Sequence, residues 1–216
     1  MKKLRKMICI IALLMVTIAI VSCSKTEPTK PKATPEETTK IYLDMIFKND
    51  MTNIDKIGLN DEDSEYLTGG IEKIFLKNFF KSNSDEASIP EEVKNSFIKD
   101  FMTGLSKLDY EVLPVSSTED TAVVEIKTKV FDRNKILTAG IEKTKELYSV
   151  NPSMTDEELM NSVYKGVSSS FANGTLLSES RMSIECYLTL EDDVWVPLGS
   201  DLQALSEMIF SGDGIK

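Results

Sequence analysis

The stretch Thr121 to Phe131, TAVVEIKTKVF, decides the fold because its side chains alternate in character along its whole length. A period of two is that of a β-strand, whose successive side chains point to opposite faces of a sheet. One face takes Ala122, Val124, Ile126, Thr128 and Val130, and the other takes Val123, Glu125, Lys127, Lys129 and Phe131. The stretch therefore predicts a strand with one buried face and one mixed face.

Three further stretches of sequence alternate in the same way. The longest has Met182, Ile184, Cys186, Leu188 and Leu190 on its apolar side. Shorter ones lie at residues 110–112 and 194–198. Polar turn residues at 116–120 connect the first two stretches and those at 191–193 connect the last two, so the four form two hairpins. If the apolar face continues through Val194, Val196 and Leu198, then Trp195 points to the mixed face with Tyr187.

Helical patterns occupy the remainder of the chain. Thr34 to Glu37 and Thr155 to Glu158 both have the sequence of a capping box at a helix start. Val93, Phe97, Phe101 and Leu105 repeat every four residues and form one apolar stripe. The order of elements predicts an α+β domain, in which a curved four-stranded antiparallel sheet packs on helices. Two helices within residues 135–172 form an insert between the strand pairs.

The amino terminus has the pattern of an export signal. Met1 to Lys6 carries four positive charges, and Met7 to Val21 is apolar except for one Thr. Ile20 to Cys23 resembles the lipobox of bacterial lipoproteins, in which the cysteine thiol receives a diacylglyceryl group and becomes the first residue after cleavage. The apolar run is short for a hydrocarbon core of ~30 Å. We therefore expect a lipid on Cys23 to anchor the protein at the extracellular face of the cell membrane.

This pattern predicts three segments: a signal peptide over 1–22, a lipidated Cys23 with a flexible basic stalk over 23–34, and a single acidic domain over 35–216. Because the leader carries +4 and the stalk +2, the net charge of −10 leaves −16 on the domain. Such a charge disfavours nucleic acid, since phosphate contacts need clustered Lys and Arg. With Cys23 lipidated, Cys186 has no intrachain disulfide partner.

The composition also excludes several kinds of catalysis. The chain has no His, which removes the usual general base, the commonest metal ligand and the nucleophile–His pairs. Cys186 falls on the apolar strand face, where a cysteine acts as a small hydrophobe. We expect no enzyme and no cofactor. The acidic residues Asp61 to Glu65 fit a solvated loop better than a calcium site, because Tyr66 stands where a tight-turn Gly belongs in an EF-hand.

The mixed sheet face is the candidate binding surface. Phe131, Tyr187 and Trp195 would lie on it together, with Lys127 and Lys129 adding polar contacts. Aromatic side chains supply large contact areas and are enriched in binding hot spots. Three interpretations remain open: the inserted helices cover this face, it forms a homodimer or envelope-protein interface, or it holds a small ligand.

Several short segments resemble a known family. YLDMIFKND at 42–50, DYEV at 109–112 and the late Leu-rich strand leading into Val194-Trp195 are similar to uncharacterised lipoproteins of low-GC Gram-positive bacteria. This resemblance implies a nuclear-transport-factor-2-like (cystatin-like) domain that binds a ligand or protein outside the cytoplasm without catalysis. Two alternatives are an envelope enzyme that uses carboxylates in such a pocket and a purely structural or dimerisation module.

Overall fold

The computed structural model describes residues 30–60 and 89–211, together with residues 62 and 69. The predicted signal peptide, Cys23, most of the stalk, most of the acidic loop at 61–65 and the apolar segment at 71–79 lie outside these residues. The described elements, in chain order, are α1 (Pro35–Lys48), a short 3₁₀ helix (Ile54–Ile57), α2 (Glu91–Leu105), β1 (Tyr110–Ser117), β2 (Thr121–Thr128), α3 (Arg133–Val150), α4 (Asp156–Asn173), β3 (Met182–Glu191), β4 (Val194–Pro197) and α5 (Gly199–Ser211).

The strands form one antiparallel sheet in the order β1-β2-β3-β4. In the central pair, Val124 lies opposite Cys186 and Ile126 lies opposite Ile184. Helices α3 and α4 enter between β2 and β3, so the chain forms two hairpins separated by a two-helix insert. The predicted α+β class, antiparallel sheet and position of the insert are confirmed.

The core lies between one face of this sheet and the helices. Val124, Ile126, Cys186 and Leu188 are almost fully buried there, and Ile184 is partly buried at the margin. Phe97 and Phe101 of α2 belong to the same cluster and have no exposed area. Burial of this apolar surface is the main force that holds α2 on the sheet.

The helix ends follow the capping signals in the sequence. The hydroxyl of Thr34 accepts from the Glu37 N–H at 3.2 Å, and Glu37 accepts from the Thr34 N–H at 3.0 Å. Thr155 and Glu158 make the same reciprocal pair at the start of α4. Gly174 ends α4 at φ +80°, a conformation that residues with a Cβ adopt at a cost. Both predicted capping boxes are confirmed.

The inserted helices pack on the helical side of the sheet. Phe171 of α4 contacts Phe97 and Phe101 of α2 at centroid distances of 5.6 Å and 5.7 Å. Gly104 permits the close approach, because a Cβ there would lie 2.4 Å from the Phe171 carbonyl oxygen. Helix α3 in turn packs on α4, with Lys143 lying over Gly166. Thus the insert extends the helical layer, and the hypothesis that it covers the mixed face is wrong.

The register of β4 also differs from the prediction. Asp192 and Asp193 both have positive φ, at 45° and 69°, which is the geometry of a two-residue hairpin turn. This turn places Leu190 opposite Trp195 and Glu191 opposite Val194. Opposed residues share a face, so Trp195 lies on the apolar face. Val194 points to the other face, where a small cluster with the 3₁₀ helix buries it.

Candidate functional site

Phe131 does not reach the predicted surface. Strand β2 ends at Thr128, and the strict alternation ends with it, so that Val130 and Phe131 are both buried. The Phe131 N–H donates to the Ile209 carbonyl at 3.0 Å, and its ring lies 4.9 Å from that of Phe171. Phe131 is therefore a core residue, and its predicted place in a binding surface is wrong.

Trp195 is a core residue for a different reason. It lies on the apolar face through the β3–β4 register, and only 4% of it is exposed. It belongs to the same buried cluster as Leu188 and Cys186. The expected group of three aromatics on one surface is consequently reduced to Tyr187.

The opposite face of the two central strands, which we call the open face, consists of Val123, Glu125, Lys127, Ser183, Glu185, Tyr187 and Thr189. Tyr187 lies opposite Val123, and 48% of Tyr187 is exposed. Both backbone groups of Tyr187 are hydrogen-bonded to the segment that follows β4: its N–H donates to Asp201 at 2.8 Å, and its carbonyl accepts from the Leu198 N–H at 2.9 Å. The phenol is thus presented from a rigid part of the sheet.

The charges on the open face are unevenly balanced. Glu125 lies directly opposite Glu185, an arrangement that destabilises an antiparallel pair when both carboxylates are ionised. Lys127 forms an ion pair with Glu125 at 3.1 Å, and the Tyr187 hydroxyl donates to Glu185 at 3.3 Å. The surface therefore offers two carboxylates, one amine and one phenol in adjacent rows.

Lys129 lies just beyond the end of β2, at one end of the sheet. Its N–H donates to the Asp109 carbonyl at 3.4 Å. Nearby, Arg181 pairs with Asp109 and with Glu111, the latter at 3.3 Å, in positions open to solvent. Exposed ion pairs of this kind contribute little to stability. The structure places Lys127 and Tyr187 on the same face, two rows apart, and leaves Lys129 outside the strand.

The segments that carry the family resemblance meet in space. Tyr110, from DYEV, donates to Asp44 at 2.5 Å, and Lys48 lies 4.8 Å above the Tyr110 ring. Phe47 packs edge-on against the same ring. Burial and then the bond to Asp44 raise the pKa of the Tyr110 phenol. These contacts fasten α1 to β1, which is a structural role.

The chemistry of the remaining groups is limited. Burial, followed by the charge of Asp201, raises the pKa of the Cys186 thiol to about 12, so the reactive thiolate is not formed near neutral pH. Within 30–60 and 89–211, no three His, Cys, Asp or Glu side chains come together as metal ligands. A groove along α2, lined by Asn95, Ile98, Lys99, Met102, Thr103 and Ser106, contains none of the predicted site residues.

The sequence analysis did not predict one exposed apolar surface, which lies on α3. Leu137, Ile141 and Tyr148 are exposed on α3, an 18-residue helix in which no residue is fully buried. A different stripe of the same helix is more evident in the sequence, and that side faces α4. It consists of Ile136, Gly140, Thr144 and Leu147. The spacing of four and seven residues was the available signal for the second stripe.

None of the described helices is both long and apolar enough to cross a membrane. No curated protein matches the sequence significantly. The fold is similar to the crystal structure of the "putative lipoprotein (ycdA)" from Bacillus subtilis subsp. subtilis str. 168, with a TM-score of 0.66 and 19% identity. The similarity covers 83% of this chain but only 56% of that one, so this chain spans little more than half its length.

A family model also matches the chain. Residues 26–207 match the family described as "Domain of unknown function (DUF5105)". The matched residues include the four described strands and all but the last residues of α5. Because the match extends over most of the sequence, the chain belongs to the DUF5105 family.

Proposed function

We propose that the protein is a lipoprotein held at the extracellular face of the cell membrane by a lipid on Cys23. The lipobox-like sequence Ile20 to Cys23, behind a charged and then apolar leader, supports this proposal. The name of the structurally similar Bacillus subtilis protein agrees with it. Two or three acyl chains give a durable anchor, so that a transmembrane helix is unnecessary.

We further propose that the domain is a relative of the nuclear-transport-factor-2-like (cystatin-like) domains found in lipoproteins of low-GC Gram-positive bacteria. A four-stranded antiparallel sheet whose main helical layer lies on one face supports this relationship. The insert of α3 and α4 between β2 and β3 is an addition to a simple version of that fold.

The proposed activity is non-enzymatic binding of a protein or ligand of the cell envelope through the open face. The half-exposed Tyr187, fixed by its backbone at the centre of that face, is the observation that carries the proposal. A Tyr side chain gives a large contact area and loses little conformational entropy on binding. The neighbouring Glu125 and Glu185 would favour a partner that brings an amine or guanidinium group, because such a group relieves their mutual repulsion.

The enzymatic alternative requires a different arrangement of the same carboxylates. Paired-carboxylate hydrolysis places an acid and a base on two sides of a substrate cleft. Glu125 and Glu185 instead lie side by side on adjacent strands of the open face. Their environment thus suits electrostatic recognition better than proton transfer.

A thermal-shift screen would test the binding proposal. Envelope components that include cationic peptides and wall fragments are added to the compact unit Pro31–Lys216, without membranes. At least one component should raise the melting temperature of the wild type. Tyr187→Ala should abolish that rise, because it removes the central contact.

Tyr148→Ala is the matched control, since Tyr148 is similarly exposed but lies on α3. It should retain the response of the wild type. Equal responses in Tyr187→Ala and Tyr148→Ala would contradict a site on the open face. Hydrolysis of a component during the screen would favour the enzymatic alternative, and a shift that depends only on protein concentration would favour dimerisation.

A further inference from the structure

Helix α3 exposes three large apolar side chains along one side, which we call the apolar stripe of α3. Leu137, Ile141 and Tyr148 are 55%, 55% and 43% exposed. At about 100° per residue, their spacing places the three side chains within about 40° of one another on the helix circumference. The side of α3 that contacts α4 is a different one, where Gly140 approaches Val167. The stripe therefore lies apart from the side that holds α3 on the domain.

Each edge of this stripe carries one basic residue. By the same helical geometry, Arg133 and Lys145 lie about 60° from its centre on opposite sides, and both residues are exposed. Glu142 and Glu146 lie farther around the helix, and Glu146 pairs with Lys143 at 3.0 Å. Four basic and two acidic residues make α3 a basic element in a chain of net charge −10. Its occupant should be apolar at the centre and negatively charged at the margins.

A second copy of the chain fits this surface poorly. The three side chains offer on the order of 200–300 Å² of apolar area, whereas a stable complex buries roughly 800 Å² on each partner. A two-fold contact between two α3 helices would also bring Arg133 and Lys145 of both copies to one seam, where like charges repel.

An anionic bilayer surface fits it better. Helices that lie in the membrane interface combine an apolar stripe with flanking Lys and Arg, and Tyr favours the headgroup level. A small contact area suffices when a tether keeps the surface close, because tethering raises the effective concentration. We propose that α3 rests on the anionic lipid surface through Leu137, Ile141 and Tyr148, and so orients the domain on the membrane. This inference rests on the proposed lipid anchor.

The orientation has a consequence for the open face. Helix α3 packs on α4, which packs on α2, and α2 covers the apolar face of the sheet. The open face is the other side of that sheet. A membrane contact at α3 would thus turn Tyr187 away from the bilayer, toward partners in the envelope.

Hydrogen exchange on vesicles would test this contact. The lipidated protein is reconstituted into vesicles of phosphatidylcholine with phosphatidylglycerol, and into vesicles of phosphatidylcholine alone. A second sample tethers the chain from residue 24 onward through an amino-terminal hexahistidine tag to nickel-chelating lipid, so that the result does not depend on Cys23. In both samples, the amides of residues 133–150 should exchange at least ~5-fold more slowly on the anionic vesicles than on vesicles of phosphatidylcholine alone.

The double variant L137S/I141S should lose this protection, and Val115→Ser, which is similarly exposed on β1, should retain it. Unchanged exchange of α3 on the anionic vesicles in the tagged sample would overturn the contact. Protection that needs no vesicles and rises with protein concentration would overturn it in favour of a second copy. If only the lipidated sample fails because Cys23 carries no lipid, the proposed anchor fails and the contact stands.

Discussion

At the scale of single residues, exposure separates the two aromatics that the sequence places together. Trp195 is 4% exposed and packs in the main core, whereas Tyr187 is 48% exposed on the open face. The difference arises from the two-residue turn at Asp192 and Asp193, which sets the side of the sheet that each β4 residue faces. Their substitutions should therefore have opposite kinds of effect.

Trp195→Ala should lower the free energy of unfolding by about 3–5 kcal/mol, because it removes a buried ring and leaves a cavity. Tyr187→Ala should change it by no more than about 1 kcal/mol, as is usual at the surface. Urea unfolding followed by circular dichroism would measure both. Similar losses in the two variants would contradict the observed β4 register.

The stability of the fold should decline at high pH because a buried thiol and a buried phenol resist losing their protons. Burial raises the pKa of the Cys186 thiol from 9.0 to about 12, and burial with the charge of Glu191 raises that of the Tyr42 phenol from 10.0 to about 12. Between these values the unfolded chain releases protons that the folded chain keeps, so the folded state becomes less favoured as pH rises. The free energy of unfolding therefore keeps its full value below about pH 9, where both groups stay protonated in the folded and the unfolded chain.

Urea midpoints at pH 8, 9, 10 and 11 would follow this decline. Cys186→Ala and Tyr42→Phe remove the two titrations separately, so each should make the dependence on pH shallower. A midpoint that stays constant from pH 8 to pH 11 in the wild type would contradict the burial of these groups.

At the scale of elements, local sequence signals were sufficient where the determining contacts are local. The capping boxes at Thr34 and Thr155 join residues three positions apart, and both form as the sequence predicts. The period of two placed Val124 and Ile126 correctly because β2 is regular over that range. Phe131 was misplaced because β2 ends before it, at a point set by contacts with the distant Ile209.

The α2–α4 contact offers a test at this scale. Gly104→Ala should lower the free energy of unfolding by about 1–3 kcal/mol, because the added methyl group collides with the Phe171 carbonyl and forces the helices apart. Gly199→Ala is the control, since a Cβ there meets no atom within 4 Å. Thermal unfolding would compare the two variants. An unchanged melting temperature in Gly104→Ala would argue against this helix contact.

At the scale of the whole molecule, composition and order predicted the architecture but gave an incomplete account of the surface. From the sequence alone, the acidic charge argued against nucleic-acid binding, and the absence of His argued against catalysis that needs a His base. The position of the insert relative to the sheet depends on tertiary packing between Gly104 and Phe171, which no sequence period reports. For this reason the sequence could not show that the mixed face stays open, or that α3 turns a second apolar stripe outward.

Both proposals depend on where the protein is held. The proposed lipid on Cys23 would place the acidic domain outside the cytoplasm. It would also bring α3 within reach of the bilayer and leave the open face available to envelope partners. A Cys23→Ala variant should lose the lipid and move to the aqueous phase in a detergent phase separation, and it serves as the control for the direct measurement.

That measurement is mass spectrometry of the amino-terminal peptide of the protein isolated from the membranes of a Gram-positive host. If the anchor forms, the peptide should begin at Cys23, lack residues 1–22 and carry the mass of a diacylglyceryl group on the thiol. A membrane-bound protein that still begins at Met1, or that has an unmodified Cys23, would contradict the proposed lipid anchor.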